Sequence, residues 1–332
     1  MPGTKEQVYE LLRKRPDCYC SGEQLAEELG VSRTAVWKAV RALKAEGKNI
    51  TAVTNRGYRL VPEYGACDAA FLENGLKRAG HPLTLKHYET LDSTNEEARR
   101  LHSPHGTDYL ILADGQTAGR GRRGRSFFSP SGTGLYLSLL LHPEMEFSKL
   151  TSVTATAAVA VSLAIDRVCF SGEDRTKIKW VNDIFLDGRK LCGILTEAHT
   201  SPEDSSENYL VIGIGINLLP PSSGFPKEIK NTAGTIFPAG TVLPDRFRER
   251  LTLAIVNAFY SCFRKSEGTL RIYREKSCLM NSYVKINAFS KLPKNRRYAY
   301  VTGITDRLEL SIRYPDGVTD ELSSGEVSVV HY

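Results

Sequence analysis

One short stretch of the chain combines arginine and glycine in a way that suggests chemistry on an anion. Arginine presents forked donors that suit phosphate, and glycine lets the backbone approach a ligand closely. The stretch therefore predicts a loop that wraps the phosphates of a nucleotide. A flexible basic loop or an RNA-binding tract is the alternative interpretation. The residues of this Arg/Gly loop are Gly119, Arg120, Gly121, Arg122, Arg123, Gly124 and Arg125.

A second candidate is Lys190, which follows a predicted Asp187-Gly188 hairpin turn. Strand alternation predicts that Lys190 shares a face with Cys192 and Ile194. A lysine on an apolar face needs an anionic partner, so Lys190 could stabilise negative charge in a site. Alternatively, the face is half-exposed and the lysine extends to water.

Three further patterns limit the chemistry. Ser93 or Thr94 is placed to cap a helix, where free backbone amides could also meet a polar ligand. Gly213 and Gly215 lie inside a predicted strand with no third glycine opening a helix, which disfavours a Rossmann fold. No P-loop motif and no GxSxG or HExxH motif occurs. Nucleotide binding would therefore depend on the Arg/Gly loop.

The elements that must position these residues alternate between strand-like and helical patterns. Such a mixture predicts an α+β domain with a mixed sheet. After residue 276 the chain changes to short β-rich runs, which predict a small all-β domain. The predicted strands are 110–113, 135–141, 177–180, 209–216, 283–287, 298–304, 308–314 and 326–330, and the predicted helices are 95–101, 150–168 and 245–265.

The N-terminal segment predicts a helix-turn-helix followed by a β-hairpin wing. Ser21 and Gln24 form a capping box for the second helix, and Ser32 caps the third. Two β-prone runs, 50–54 and 58–61, flank a turn at Asn55. Pro62 and the following Tyr64-Gly65 then predict a domain boundary near residue 63. We therefore predict domains at 1–63, 64–275 and 276–332.

Basic charge is concentrated in the same N-terminal region. Residues 33–59 contain seven Lys or Arg and one acid, Glu46, so their net charge of 7 − 1 = +6 equals that of the whole chain. This concentration predicts a surface that faces a polyanion, although a basic run is often only a solvated face.

Cysteine usage and hydropathy indicate a cytoplasmic protein without membrane segments. The seven cysteines form no CxxC pair, which fits a reduced compartment and predicts no zinc site. The N-terminus lacks the apolar core of a signal peptide, and polar residues interrupt the most apolar run, 150–168. That run is predicted to be a helix inside a domain.

Taken in chain order, these motifs resemble the bifunctional biotin–protein ligases that also act as biotin-operon repressors. The resemblance covers nearly the whole chain. It implies an N-terminal winged helix-turn-helix, a central α/β ligase domain with a mixed sheet of the class II aminoacyl-tRNA synthetase kind, and a C-terminal SH3-like β-barrel. The matching motifs begin at Ser21, Ser32, Asp92, Gln116, Lys179, Gly188, Gly213 and Ser324.

The resemblance implies a two-step reaction. Biotin and Mg-ATP give biotinyl-5′-AMP, and biotin then passes to a lysine of the biotin carboxyl carrier protein of acetyl-CoA or pyruvate carboxylase. Lys190, Arg122 and Asp183 would be catalytic, and Asp183 would also meet Mg²⁺. The biotin contacts would be Ser93, Thr94, Asn95, Gln116, Arg120, Gly121, Arg122 and Lys190, and the nucleotide contacts Arg122, Arg125, Asn182 and Asn217.

For the N-terminal domain, the resemblance implies operator DNA as a partner and a homodimer when the adenylate, acting as corepressor, is bound. The helix-turn-helix would begin at Gly22 and end at Arg41, with its last helix in the major groove. The candidate DNA contacts are Arg33, Thr34, Trp37, Lys38 and Arg56.

Two positions depart from the family pattern. Val181 stands where proline is usual, and Phe127 where tryptophan is common, so the adenylate pocket could differ in detail. A lipoyl or octanoyl ligase is the nearest enzymatic alternative. A regulator that senses a ligand without catalysis is the alternative of a different class.

Overall fold

The structure is a computed structural model in which the chain forms two compact units. The first comprises Met1–Asp68 and Ala239–Phe247, and the second Ala69–Pro238 and Arg248–Tyr332. The predicted domain boundaries stay predictions, and the one near residue 63 lies outside the described residues. The structure describes residues 3–15, 19–46, 48, 50–53, 56–60, 67–104, 106–143, 150–199, 208–287, 296–323 and 326–329.

Three helices and a two-stranded antiparallel hairpin form the first unit. The predicted capping box is confirmed, because Gln24 N donates to Ser21 Oγ at 3.0 Å and Ser21 N donates to Gln24 Oε1 at 2.9 Å. The predicted Ser32 cap is also confirmed, with Ala35 N donating to Ser32 Oγ. The elements are α1 (Thr4–Lys14), α2 (Gly22–Leu29), α3 (Arg33–Ala45), β1 (Ile50–Val53) and β2 (Gly57–Leu60).

Backbone hydrogen bonds connect the hairpin to the segment just before α2. Cys20 and Tyr58 exchange two backbone hydrogen bonds of 2.8 Å. Gly57 has a φ of 101° and lies against the Cys20 carbonyl, where a Cβ atom would overlap that oxygen. The position therefore requires glycine. Asn55 and Val61 of the predicted wing lie outside the described residues.

A seven-stranded mixed sheet is the centre of the second unit. Its order is β3-β4-β5-β9-β8-β7-β6, with β3 and β4 parallel and the other neighbours antiparallel. This arrangement confirms the predicted mixed sheet. The strands are β3 (Thr84–Leu91), β4 (Tyr109–Gln116), β5 (Gly134–Leu141), β6 (Lys177–Lys179), β7 (Asp183–Leu186), β8 (Arg189–His199) and β9 (Tyr209–Asn217).

Helices accompany this sheet. On one face, Ala98 of the α5 helix packs on Ile111, Leu140 and Val211 in a buried cluster. The predicted helices 95–101, 150–168 and 245–265 are confirmed within a few residues. The helices are α4 (Ala69–Ala79), α5 (Thr94–Leu101), α6 (Leu150–Cys169), α7 (Phe247–Arg264) and α8 (Ser266–Lys276).

Helix α6 has a composition that could be mistaken for a membrane segment. Among the described residues, it is one helix with the length and hydropathy to cross a bilayer. Of its most apolar window, 72% is buried inside the protein. Burial of this kind is also typical of a core helix, so the composition is weak evidence for a membrane.

The C-terminal residues form a five-stranded antiparallel sheet of order β13-β12-β11-β10-β14. Val284, Val301, Leu310 and Ile312 bury one side of it. This confirms the predicted all-β region. The polar strand β13 was not predicted, because Thr-Asp-Glu-Leu lacks the usual β-prone residues. The strands are β10 (Tyr283–Asn287), β11 (Tyr298–Ile304), β12 (Leu310–Arg313), β13 (Thr319–Leu322) and β14 (Glu326–Val329).

Candidate active site

A cavity of about 960 Å³ lies in the second unit above the face of the mixed sheet that α5 covers. Three glycines form its floor, with Gly193 paired to Gly215 and Gly213 paired to Leu195. A Cβ atom at Gly213 would overlap Asn95, and one at Gly215 would lie 2.5 Å from the Phe127 ring. The missing side chains therefore leave room for Asn95 and Phe127 to lie directly on the sheet.

Every residue that the sequence predicts for ligand binding lines this cavity. The structure thus brings together segments that are more than 100 residues apart in the chain. Their individual roles stay predictions. The lining includes Ser93, Thr94, Asn95, Gln116, Arg120, Gly121, Arg122, Arg125, Asn182, Asp183, Lys190 and Asn217.

A chain of polar contacts begins at the first turn of α5. Thr94 N donates to Gln116 Oε1 at 2.9 Å, and Gln116 Nε2 donates to Ser129 Oγ at 2.9 Å. Ser138 Oγ lies 2.7 Å from both Thr94 Oγ1 and Asn95 Oδ1. Ser93 occupies the predicted N-cap position of α5, but its side chain makes no capping hydrogen bond.

Beside these polar contacts, two carboxylates lie against two guanidinium groups. Glu96 and Glu197 both contact Arg99, at 2.8 and 2.6 Å, and both contact Arg120 of the Arg/Gly loop. Glu197 Oε2 also accepts from Asn95 Nδ2 at 2.8 Å. The loop is thus attached to α5 and β8 through the Arg120 side chain.

The tip of the Arg/Gly loop turns back over the cavity. Arg123 and Gly124 have φ values of 62° and 72°, a left-handed pair that glycine favours. Arg122 NH1 donates to Asn182 Oδ1 at 3.1 Å, and Asn182 Nδ2 donates to Ile194 O at 2.8 Å. Arg122 is therefore directed at the opposite wall of the cavity.

Lys190 forms an ion pair inside the cavity, with its Nζ 2.7 Å from Asp183 Oδ1. The predicted face of Lys190 is wrong. A β-bulge shifts the register between β7 and β8, so that Ile184 pairs with Cys192 but Phe185 pairs with Lys190. The extra residue turns Lys190 toward the face of Gly193, where a Cβ would lie 3.3 Å from its Nζ. The expected anionic partner is present.

The segment that carries Asn182 and Asp183 is fixed by contacts outside the cavity. Trp180 Nε1 donates to Leu308 O at 2.7 Å, and Tyr273 Oη donates to Val181 O at 3.1 Å. Asn217 Nδ2 donates to Gly234 O at 3.1 Å, and the Gly234 amide donates to Lys190 O. These bonds join the far wall to residues 232–234.

Sequence reasoning missed three residues that shape the site: Glu96, Glu197 and Ser138. Only Ser138 carries a local signal, because it is a hydroxyl within a fully buried leucine-rich strand. In the sequence, the two glutamates resemble ordinary surface charges. Only the fold brings both of them into contact with Arg120.

The cysteines near the cavity are poor nucleophiles. Burial raises the pKa of the Cys192 thiol, and burial likewise raises the pKa of the Cys278 thiol. Both thiols therefore stay protonated at neutral pH. Covalent catalysis through a thiolate has no support at either position.

The predicted DNA contacts of the first unit lie on its surface. Arg33, Thr34 and Lys38 of α3 are exposed, and Trp37 keeps 49% of its surface accessible. Arg56, also exposed, has its guanidinium carbon 5.9 Å from the centre of the Tyr19 ring. Each candidate residue is thus accessible to a partner.

The fold and the cavity define a ligase of the biotin and lipoate class joined to a helix-turn-helix unit. The model of the "Biotin/lipoate A/B protein ligase family" matches residues 88–217, and a model named "HTH domain" matches residues 4–59. These ranges contain the motifs described above.

Several known proteins are similar to this chain in sequence or structure. The "Bifunctional ligase/repressor BirA" of Bacillus subtilis is 35% identical over 79% of this chain and 77% of its own length. The "Biotin--[acetyl-CoA-carboxylase] ligase" of Paracoccus denitrificans is 35% identical over 45% of this chain and 57% of its own length. A solved biotin protein ligase from Aquifex aeolicus, in complex with biotin and ATP, matches with a TM-score of 0.59 and 26% identity, covering 75% of this chain and 99% of that one. The chain belongs to the biotin protein ligase family and carries a helix-turn-helix domain, as the bifunctional ligase/repressors do.

Proposed function

We propose that the cavity joins biotin to AMP and then passes the biotinyl group to a lysine of a biotin carboxyl carrier protein. One observation carries the proposal. Lys190 with Asp183 and Arg122 with Asn182 border the same cavity above a floor of glycines. This observation supports a site in which fixed cations face two anionic substrates.

The first step needs those cations. The biotin carboxylate attacks the α-phosphorus of ATP, a P–O bond forms, and pyrophosphate leaves. Both partners are anions, so a fixed positive charge lowers the barrier by stabilising the charge of the transition state. Lys190 and Arg122 are the residues that we assign to this role. Asn217 and Arg125 are assigned to the nucleotide.

The second step requires that water be excluded from the mixed anhydride. The lysine amine of the carrier attacks the acyl carbon of the mixed anhydride, an amide forms, and AMP leaves with the phosphate oxygen. Water would compete with the amine if the anhydride were exposed. We assign the Arg/Gly loop, including Gly121, to covering the intermediate, and Ser93, Thr94, Asn95 and Gln116 to the biotin side.

A magnesium ion would accompany ATP at this site. Within the described part of the chain, no group of three or more His, Cys, Asp or Glu side chains could hold a metal by itself. Asp183 lines the cavity and offers carboxylate oxygen, the ligand type that Mg²⁺ takes together with substrate phosphates. When bound, the ion would neutralise phosphate charge. Asp183 is the residue that would hold it.

A mass measurement tests the acyl group. The protein is incubated with ATP, a carrier domain and one acid at a time: biotin, lipoate or octanoate. We expect the carrier to gain the mass of biotin minus water, and no mass with the other two acids. A gain with lipoate or octanoate would replace the proposal by a lipoyl or octanoyl ligase. No gain with any acid would favour a regulator that senses its ligand without catalysis.

We also propose that the first unit binds operator DNA and represses genes in response to biotinyl-5′-AMP. The exposed row of Arg33, Thr34, Trp37 and Lys38 on α3, with Arg56 on the hairpin, supports this role. We further propose a cytoplasmic protein that forms a homodimer when the adenylate is bound. A mobility shift of operator DNA with biotin and ATP tests the idea, and its absence would count against repression.

A further inference from the structure

Glu197 links two parts of the cavity that the reaction would use together. Its Oε2 accepts from Asn95 Nδ2 at 2.8 Å, and its Oε1 accepts from Arg99 at 2.6 Å and lies 3.8 Å from Arg120. The side chain is 22% exposed, so water screens these contacts only in part. The Arg/Gly loop and the first turn of α5 thus share one carboxylate.

The charges of this cluster balance. Glu96 and Glu197 contribute two negative charges, and Arg99 and Arg120 contribute two positive ones. A guanidinium that is already neutralised by two carboxylates adds little attraction for another anion. The Arg120 side chain therefore anchors the loop.

The carboxylate also determines which way the Asn95 amide points. A carboxylate only accepts, so Asn95 must direct its NH₂ group at Glu197 and its carbonyl oxygen at Ser138. The Ser138 hydroxyl has one hydrogen, and it can then donate that hydrogen to Asn95 Oδ1. Thr94 Oγ1 lies 2.7 Å from the same hydroxyl, and its own hydrogen is directed at Gln116 Oε1. The Ser138 hydroxyl is thus oriented from Glu197 through the Asn95 amide.

We propose that Glu197 is a positioning residue for biotin: it fixes the Asn95 amide, orients the Ser138 hydroxyl through that amide, and holds the loop through Arg120. The inference rests on the proposed function, because biotin is the ligand that these hydroxyls and amides would meet. Glu197 touches no reacting atom in this scheme, so its effect is on biotin affinity.

The experiment compares Glu197→Gln with two matched changes that also replace a carboxylate by an amide. Glu96→Gln alters the same arginine contacts but leaves Asn95 paired, and Glu89→Gln alters an exposed residue on β3. Pyrophosphate release gives KM and kcat, calorimetry gives the dissociation constant of biotin, and thermal unfolding reports folding. Glu197→Asp, which keeps the carboxylate, serves as the conservative variant.

We expect Glu197→Gln to raise the KM and the dissociation constant of biotin about 10-fold, the loss that a charge-assisted hydrogen bond produces. The kcat should stay within about 2-fold, because Lys190 and Asp183 are unchanged. Glu96→Gln should raise KM by less, about 3-fold, since it weakens the ion pairs with Arg99 and Arg120 but keeps the hydrogen bond from Asn95 to Glu197. Glu197→Asp should recover part of the affinity, and Glu89→Gln should match the wild type.

Two results would overturn the inference: an unchanged biotin affinity in Glu197→Gln, or an equal loss in Glu96→Gln. The first would mean that Glu197 does not orient the biotin side, and the second that only the loop arginine matters. Calorimetry separates this inference from the proposed reaction. A wild-type protein that binds biotin but releases no pyrophosphate would refute the reaction while the Glu197 comparison still decides the inference.

Discussion

Two basic regions of the molecule use arginine in opposite ways. In the Arg/Gly loop, Arg120 lies against Glu96 and Glu197, and Arg122 donates to Asn182. On α3, Arg33 and Lys38 are exposed on a convex helical surface. The first arrangement fixes each side chain at the border of a cavity. The second leaves the charge accessible to a large polyanion.

This difference distinguishes recognition of a small anion from recognition of a nucleic acid. A count of basic residues alone would not distinguish them. A small anionic ligand needs a few cations held at fixed positions, because their value depends on geometry. A nucleic acid needs accessible cations along a surface, because its binding comes largely from counterion release. We therefore propose that the Arg/Gly loop serves the ligase reaction and that the exposed cations of α3 serve DNA binding.

The largest expected effect is the loss of the cavity cation in Lys190→Ala. We expect adenylate formation to fall about 100- to 1000-fold, since one fixed group that stabilises transition-state charge has this value. Pyrophosphate release measures the rate. DNA binding without ligand should not change, which would sharpen the separation of the two regions.

Lys86→Ala on the exposed side of β3 is the control for Lys190→Ala, because it removes the same charge away from the cavity. Thermal unfolding of both variants checks that each is folded. An unchanged rate of pyrophosphate release in a folded Lys190→Ala protein would refute the assignment of Lys190.

The next effect concerns the exposed cations of α3. In the double variant Arg33→Ala with Lys38→Ala, we expect DNA affinity to fall and the slope of log K against log salt to become shallower by about 2, or about one for each lost phosphate contact. Adenylate formation should not change. Titration of labelled operator DNA at several salt concentrations gives the slope.

The matched control removes two exposed cations from α4, as Lys77→Ala with Arg78→Ala. Its salt slope should equal that of the wild type. An equal loss of slope in the control, or a loss of slope in Arg122→Ala, would break the comparison between the two basic regions.

A smaller effect tests how the loop is seated on the sheet. Gly215→Ala would place a Cβ 2.5 Å from the Phe127 ring, and Phe127 N is bonded to Gly119 O at 2.7 Å. The ring must move, and the start of the loop must move with it. We expect adenylate formation to fall about 10-fold, as for a modest misplacement in a site that depends on orientation.

Gly268→Ala is the control for this change, because nothing lies within 4 Å of the added Cβ atom on helix α8. Its activity should equal that of the wild type, and alanine in a helix should stabilise the fold by about 0.5–1 kcal/mol. Full activity in Gly215→Ala would show that the Phe127 contact does not hold the loop.

Local signals in the sequence predicted local structure well. The Ser21 capping box and the Ser32 cap are confirmed because each depends on residues three positions apart. Ser93 occupies the N-cap position, but its side chain makes no capping hydrogen bond. The Thr94 amide donates to Gln116 Oε1, which is 22 residues away in the chain. The spacing of nearby residues does not indicate long-range contacts of this kind.

The motifs located the cavity but not its internal geometry. All predicted ligand residues line one cavity, since each motif is a short segment whose neighbours are set by strand order. Lys190 was assigned to the wrong face because a single bulge residue reverses alternation. The role of Glu197 depends on three elements meeting, which periodicity cannot reveal.

The smallest effect concerns Arg100, which is exposed like the cations of α3 but paired like those of the loop. It donates two hydrogen bonds to Asp92 at 2.6 and 3.0 Å and one to Glu97 at 2.7 Å. The hydrogen bonds from Arg100 lower the pKa of Asp92 to about 2. Because this pKa is depressed in the folded state, the pair stabilises the fold above the unfolded pKa of about 3.9. That contribution is lost as the pH falls through about 2.

We expect Arg100→Ala to return the Asp92 pKa to its usual range, as measured by NMR titration of the carboxyl carbon. Asp92 and Arg100 are 44% and 51% exposed, so solvent screens the pair and stability at neutral pH should change little. The Lys86→Ala variant should leave this pKa where it is. An Asp92 pKa that stays near 2 without Arg100 would mean that the Ser93 amide, which donates to Asp92 Oδ1 at 2.7 Å, is sufficient to hold the carboxylate. Exposed arginine pairing would then contribute little, and the contrast between the loop and α3 would depend on burial alone.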